Sequence, residues 1–325
     1  MTAETRHATI DHAIGATGSF TLKVASADVR LEPSPDDHVR VRTTDGRPLP
    51  DDFEVATGDG SVSVRQVGRF LGISVGRASS VGLDVEIPAT AEVIVQTASG
   101  AVAATGLHGD QQYRTASGDI RLERAAGRVA TESVSGAVAI GVDGAVELIV
   151  KTVSGDVGID GDRIERVRLT TTSGDIRLTS SLGSGPHAIE TLSGDALIAT
   201  NSGIRIQART ISGDLRSDLP HTSDGMMGRR SLTVGDGAVE LSFRSVSGDL
   251  RVVDPAGVPN RDARSVATAV PVAPTPPPRM PSPPSPAATE ADDRRLEILR
   301  ALERGEIDIA AASERLALLD ESTDA

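Results

Sequence analysis

The dipeptide Ser-Gly recurs at Ser99, Ser117, Ser135, Ser154, Ser173, Ser193, Ser212 and Ser247, with spacings of 18, 18, 19, 19, 20, 19 and 35 residues. A fixed period near nineteen residues marks a chain of stacked, similar units, and no other feature constrains the fold as strongly. The last gap reads as two periods, with Val234-Gly235-Asp236-Gly237 as the remnant of a lost copy.

The window around each Ser is regular too. An apolar residue or Thr precedes it (Ala98, Ala116, Val134, Val153, Thr172, Leu192, Ile211, Val246), and a hydroxyl residue precedes that. Asp follows Ser-Gly in six copies, at Asp119, Asp156, Asp175, Asp195, Asp214 and Asp249, and then comes a mostly branched apolar residue. Read as period-two alternation, this is a strand. The expected inner face carries the residue before Ser, the Gly and the residue after Asp. Thr, Ser and Asp are expected outside, with Arg121, Arg177, Arg216 and Arg251 beyond them.

A unit of this length cannot bury its apolar face alone, so each must shield the next. The expectation is an all-β fold: a single-stranded parallel β-helix or solenoid with coils of about 18–20 residues, stacked in sequence order. About nine coils rising about 4.8 Å each give a rod on the order of 40 Å long. Composition agrees. Aromatic residues are 2% of the chain (Phe20, Phe53, Phe70, Phe243 and Tyr113, with no Trp), so the core must be aliphatic. The repeat array spans 91–255. Residues 1–14 read as a flexible N-terminus and 15–90 as lead-in strands and cap, with Ser26-Ala27-Asp28-Val29-Arg30-Leu31 a degenerate copy of the motif.

Eleven of the eighteen prolines fall between Pro255 and Pro286. Proline lacks an amide donor and favours an extended, solvated chain, so 256–289 reads as a disordered, semi-stiff linker. In the tail, 290–325, the period changes. Leu296, Leu299 and Leu302 line one helical face, Gly305 stops it, and Ile309, Leu316 and Leu319 line a second. Two helices this short are marginal alone, which makes the tail the expected contact for a protein partner or for self-association.

Strand Leu83-Asp84-Val85-Glu86-Ile87-Pro88 followed by the Thr-x-Ser-Gly-Asp repeats resembles a bacterial family of β-strand-repeat proteins of unknown function, of adhesin type, over roughly residues 15–255. The stretch from Glu297 to Leu316 resembles the short helical domains called SHOCT-like. The resemblance implies a solenoid with partner docking or oligomerisation, and it brings no reaction and no catalytic residues.

Other chemistry is sparse. There is no cysteine, which excludes disulfides, thiol catalysis and Cys-ligated zinc. A net charge of −13 argues against a nucleic acid partner. Met1 to Phe20 lacks a basic-then-apolar leader and the apolar runs are too short to span a bilayer, so a cytoplasmic protein with no membrane span is expected. The histidines (His7, His12, His38, His108, His187, His221) are scattered and read as surface residues.

The Asp row is the feature closest to a site. Adjacent carboxylates about 5 Å apart repel by about 0.8 kcal/mol in water. Pairing with the Arg two residues on, or a hydrated turn, would offset this. Calcium between coils is the alternative, but the spacing lacks the Gly-Gly-x-Gly-x-Asp pattern of calcium-binding rolls. The reading is therefore structural, with no catalytic residue, metal or cofactor. The expected function is a non-enzymatic scaffold, with a polymer-forming cytoskeletal solenoid and an adhesin-like or carbohydrate-binding surface protein as rivals.

Overall fold

The computed structural model describes residues 9–67, 81–226 and 229–257. The chain divides into two units, 1–261 and 262–325, and the described residues all belong to the first. The linker beyond Gly257 and the tail with Leu296, Leu299, Leu302, Ile309, Leu316 and Leu319 lie outside the described residues.

The first unit is a β-solenoid. Each coil has two walls joined at the Ser-Gly-Asp bend. In one coil, Asp110–Ser117 forms the first wall, and the chain bends at Gly118 and Asp119 into the second wall beginning at Ile120. Three long strands, Ile120–Ser135, Val138–Ser154 and Val157–Ser173, run from the second wall of one coil into the first wall of the next. Neighbouring coils pair in parallel and in register, so that Ser99 lies beside Ser117, Ser135 beside Ser154 and Ser173 beside Ser193.

This register stacks like on like. One interior row of the first wall runs Val93, Gln111, Val129, Leu148, Val167, His187, Leu241. A row of the second wall runs Val102, Ile120, Val138, Val157, Ile176, Ala196, Leu250. Every aliphatic member of both rows is buried. Burying one such side chain contributes about 1.5–3 kcal/mol. Rows that repeat every coil leave little room for rings, and Phe20, Tyr113 and Phe243 are the largest side chains fully enclosed.

The stacking is not sequential at either end, contrary to the sequence reading. The strand Val239–Ser247 lies between His187–Ser193 and Ile204–Ser212, in parallel with both. The last coil in sequence is thus the penultimate in space. No coil fills the gap between Ser212 and Ser247. Instead His221–Met226 and Arg229–Val234 form an antiparallel hairpin whose second strand covers Ile204–Ser212. Val234-Gly235-Asp236-Gly237 is the turn leaving that hairpin, with φ of 63° and 64° at its glycines, and not a worn repeat.

The N-terminal end follows the same plan. Ser19–Ser26 and Val29–Pro33 form a complete coil directly against the array, with Ser26 in register with Ser99. Outside it lie Ser61–Gln66 and Leu83–Ile87, which come later in sequence. Antiparallel strands close the edge: Phe53–Gly58 on the first wall, His38–Thr43 and Thr9–Ala13 on the second. Thr9–Ala13, expected as flexible, is therefore an ordered cap strand. Both ends meet the same demand, that an exposed parallel edge must be covered.

Candidate functional site

The bend contains the recurring Ser, Gly and Asp of the repeat, and its geometry explains each residue in turn. The glycines stack. A Cβ added to Gly118 would fall on the carbonyl oxygen of Gly100, and the same holds for Gly136 on Gly118, Gly155 on Gly136, Gly174 on Gly155, Gly194 on Gly174, Gly248 on Gly194 and Gly213 on Gly248. Only a residue without Cβ lets the coils approach to hydrogen-bonding distance here. The degenerate first copy carries Ala27 in place of Gly. Gly100 abuts the Ala27 carbonyl from one side, and no Ser-Gly coil lies on the other, where a Cβ is accommodated.

The carboxylates are also accounted for. Asp156 Oδ1 accepts the amide of Asp175 at 3.0 Å, Asp175 that of Asp195 at 3.1 Å, Asp195 that of Asp249 at 2.9 Å, and Asp249 that of Asp214 at 2.8 Å. Asp28 does the same for Ala101 and Asp119 for Ala137, each at 2.9 Å. Each of these Asp residues thus caps the next coil's backbone, a charge-assisted bond that offsets repulsion along the row, and Asp214 at its end does not. The expected Arg pairing is realised at Asp214, with Arg216 at 2.6 Å and Arg230 at 3.3 Å. The Arg216 and Arg230 guanidiniums hold the Asp214 carboxyl below its ordinary range. Arg121 turns instead to Glu123, and Arg251 to Asp218.

The expected faces hold for Ser, Asp and the residue after Asp, and are exchanged for the two residues before Ser. Thr97, Thr115, Thr152, Thr171 and Thr191 point inward and are buried, whereas the residue before each Ser points out. Between the inward Thr and the inward Ile or Val that follows Asp, four successive residues face solvent. A strict two-residue period cannot cross such a bend, because the inward Thr and the next inward residue stand five positions apart, an odd number that resets the parity.

Asp175, Asp195, Asp249 and Asp214 line one shallow groove with Ser193, Gly194, Ser212, Gly213, Ser247 and Gly248. Ser99, Ser117, Ser135, Ser154 and Ser173 continue the hydroxyl line on the preceding coils. Among the described residues no cluster of three or more His, Asp or Glu side chains is placed to hold a metal ion.

Two features were not legible beforehand. His187, read as a surface residue, is buried within the first wall, with Nε2 2.9 Å from the Gly183 carbonyl. Burial lowers its pKa, partly opposed by that hydrogen bond and by Glu165. At the N-terminal cap, Arg40 bridges Asp11 at 3.2 Å, Asp36 at 2.5 Å and Glu86 at 3.5 Å, and His38 lies 2.6 Å from Asp11. The Arg40 and Ser34 hydrogen bonds hold the Asp36 carboxyl well below the usual range. This cluster ties the two outer strands of the cap to Leu83–Ile87, and no spacing in the sequence announces it.

Residues 17–253 match the family model described as Toastrack DUF4097. No curated protein matches the sequence. Among solved structures, a candidate adhesin from Bacteroides fragilis is similar at 11% identity and TM-score 0.45, over 75% of this chain and 95% of that one. A candidate cell-adhesion protein from Clostridium sporogenes is similar at 9% identity and TM-score 0.27, over 76% and 98%. A candidate lipid-binding protein from Parabacteroides distasonis is similar at 11% identity and TM-score 0.26, over 75% and 95%.

Proposed function

The chain belongs to the Toastrack DUF4097 family, and from that premise we propose that it is a non-enzymatic scaffold, a stiff β-solenoid bearing a tethered interaction tail. One observation carries the reading: the motif residues that most resemble a site are spent on holding coils together. Five of the six repeat carboxylates accept a backbone amide of the next coil, the sixth, Asp214, is held by Arg216 and Arg230, and the glycines are required by carbonyl contact. Carboxylates engaged this way are poor general bases and poor metal ligands.

In this reading the linker of 256–289 gives reach, and the apolar positions Leu296, Leu299, Leu302, Ile309, Leu316 and Leu319 recruit a protein partner or a second copy in the cytosol. The test is affinity capture and light scattering on the full chain and on a chain ending at residue 255. The truncated chain is expected to keep its strand spectrum and melting temperature but lose its partner. An unchanged partner set and oligomeric state would overturn the proposal, and recovery of the protein solely from the cell surface would favour an adhesin. End-to-end polymerisation is the poorer reading, since antiparallel strands cover the first wall at both ends and the second wall finishes on the three residues Leu215–Ser217.

A further inference from the structure

The outward residues before each Ser leave a mainly aliphatic row in solvent, interrupted by Thr172. In spatial order the residue before each Ser is Ala98, Ala116, Val134, Val153, Thr172, Leu192, Val246 and Ile211. Val134 is 53% exposed, Val153 49%, Leu192 50%, Val246 41% and Ile211 84%. Strand propensity favours branched residues anywhere on a sheet. It does not explain why the row is alanine on the early coils and mostly bulky on the later ones, ending in Leu192, Val246 and Ile211 side by side. Contiguous exposed apolar rows of this kind mark contact surfaces.

Charge says what covers it. On one side of the row, beyond the serines, runs the acidic line Asp156, Asp175, Asp195, Asp249, Asp214. On the other side, level by level, run Lys151, Thr170, Glu190, Arg244 and Arg209. All of these basic groups are exposed, and Lys151 and Arg244 reach neighbouring Glu132 and Glu190 at 3.5 and 3.2 Å.

We infer that a second copy of this chain packs on the row, with the two rows parallel and related by a two-fold axis running along them. That axis brings each aliphatic residue onto its own counterpart. It sets Lys151 opposite the second copy's Asp156, Arg244 opposite its Asp249 and Arg209 opposite its Asp214, against one like-charged level, Glu190 with Asp195. The antiparallel alternative sets the acidic line against itself along its whole length. Opposed charge of this kind fixes orientation more than affinity. The row is narrow, so the dimer belongs with small, transient interfaces and forms reversibly with concentration. The inference concerns the solenoid wall alone and stands apart from the tail.

The chain has no cysteine, so single substitutions report the packing directly. Val134→Cys, Val153→Cys, Leu192→Cys and Val246→Cys in the full chain are oxidised mildly, with Ala139→Cys on the outer face of the other wall as control. Each of the four is expected to form its own disulfide dimer at least about tenfold faster than the control, since paired thiols share a high effective concentration. Rates equal to the control at all four positions would remove the surface. Linkage at only one or two central positions would overturn the parallel arrangement. Lys151→Glu with Arg244→Glu is expected to weaken dimerisation by about tenfold in sedimentation equilibrium at an unchanged melting temperature. An unchanged dissociation constant would refute the charge register.

Discussion

Replacing Gly155 by Ala tests the stacked bend most directly. The new Cβ would fall on the Gly136 carbonyl oxygen, with that residue's C and N at 2.9 and 3.3 Å, and all three are backbone atoms that cannot rotate away. The coils are held at this separation by Gly136 N–H to Ser154 O at 3.3 Å and Val138 N–H to Asp156 O at 2.9 Å. Relief means lengthening both bonds, at about 0.5–1.5 kcal/mol each, or holding strained backbone at about 1–3 kcal/mol. Either route costs about 1–3 kcal/mol, and about 2 kcal/mol lowers the melting temperature of a domain this size by about 4–8 °C. Gly158, three residues further on, is the internal control: a Cβ there meets nothing within 4 Å. Gly158→Ala is expected to be neutral or to stabilise by up to about 1 kcal/mol, the usual gain for Ala in a strand. Calorimetry on the purified variants reads both. If Gly155→Ala melts within about 2 °C of the parent, or if Gly158→Ala is equally damaging, the stacked bend does not set the coil spacing.

Asp195→Ala removes the acceptor for the Asp249 amide and is expected to cost about 1 kcal/mol in denaturant unfolding; Asp195→Asn keeps an acceptor and is expected to stay within about 0.5 kcal/mol. Deleting residues 239–257 removes the coil between His187–Ser193 and Ile204–Ser212. The outer coil 204–217 should then lose protection, seen as proteolytic cleavage before Ile204 while the earlier coils survive. His187 has a lowered pKa in the fold, so below about pH 6.5 the unfolded chain binds a proton that the folded chain refuses. Stability is therefore full above that pH and falls as pH drops towards the folded pKa, and His187→Leu is expected to flatten the melting temperature as pH falls below about 6.5.

The solenoid itself was legible because period, motif and aliphatic composition all report one thing, a unit that cannot be buried alone. Parity was not legible. Thr, apolar, Ser, Gly, Asp and Ile alternate convincingly on paper, but alternation carries sidedness only while the backbone stays extended. At this bend four residues in succession face water, so Thr115 faces in with Ile120 while Ala116 faces out. The signal that could have settled it was the glycine. A glycine kept in every Ser-Gly copy, yet replaced by Ala27 where no further Ser-Gly bend stacks, points to backbone contact at a corner rather than to room on an inner face.

Strand order failed for a different reason. Register is a local property, fixed by which side chains stack, whereas order at the ends is set by the need to cover an edge. Ser247 matches Ser193 and Ser212 equally well, so nothing in the motif distinguishes a coil placed outside Ile204–Ser212 from one inserted beside His187–Ser193. The discriminating fact is the stretch between them: His221–Met226 and Arg229–Val234 pair with each other, and Arg229–Val234 takes the outer edge of Ile204–Ser212. Once that edge is occupied, Val239–Ser247 has one parallel site left, the interior one. The same logic accounts for Ser61–Gln66 lying outside Ser19–Ser26 at the other end, where Phe53–Gly58 closes the edge. A solenoid that hides its last-made coil inside and gives its ends to antiparallel hairpins is built to stop growing along its axis, which leaves the side row of Val153, Leu192 and Val246 as the surface through which it meets another copy.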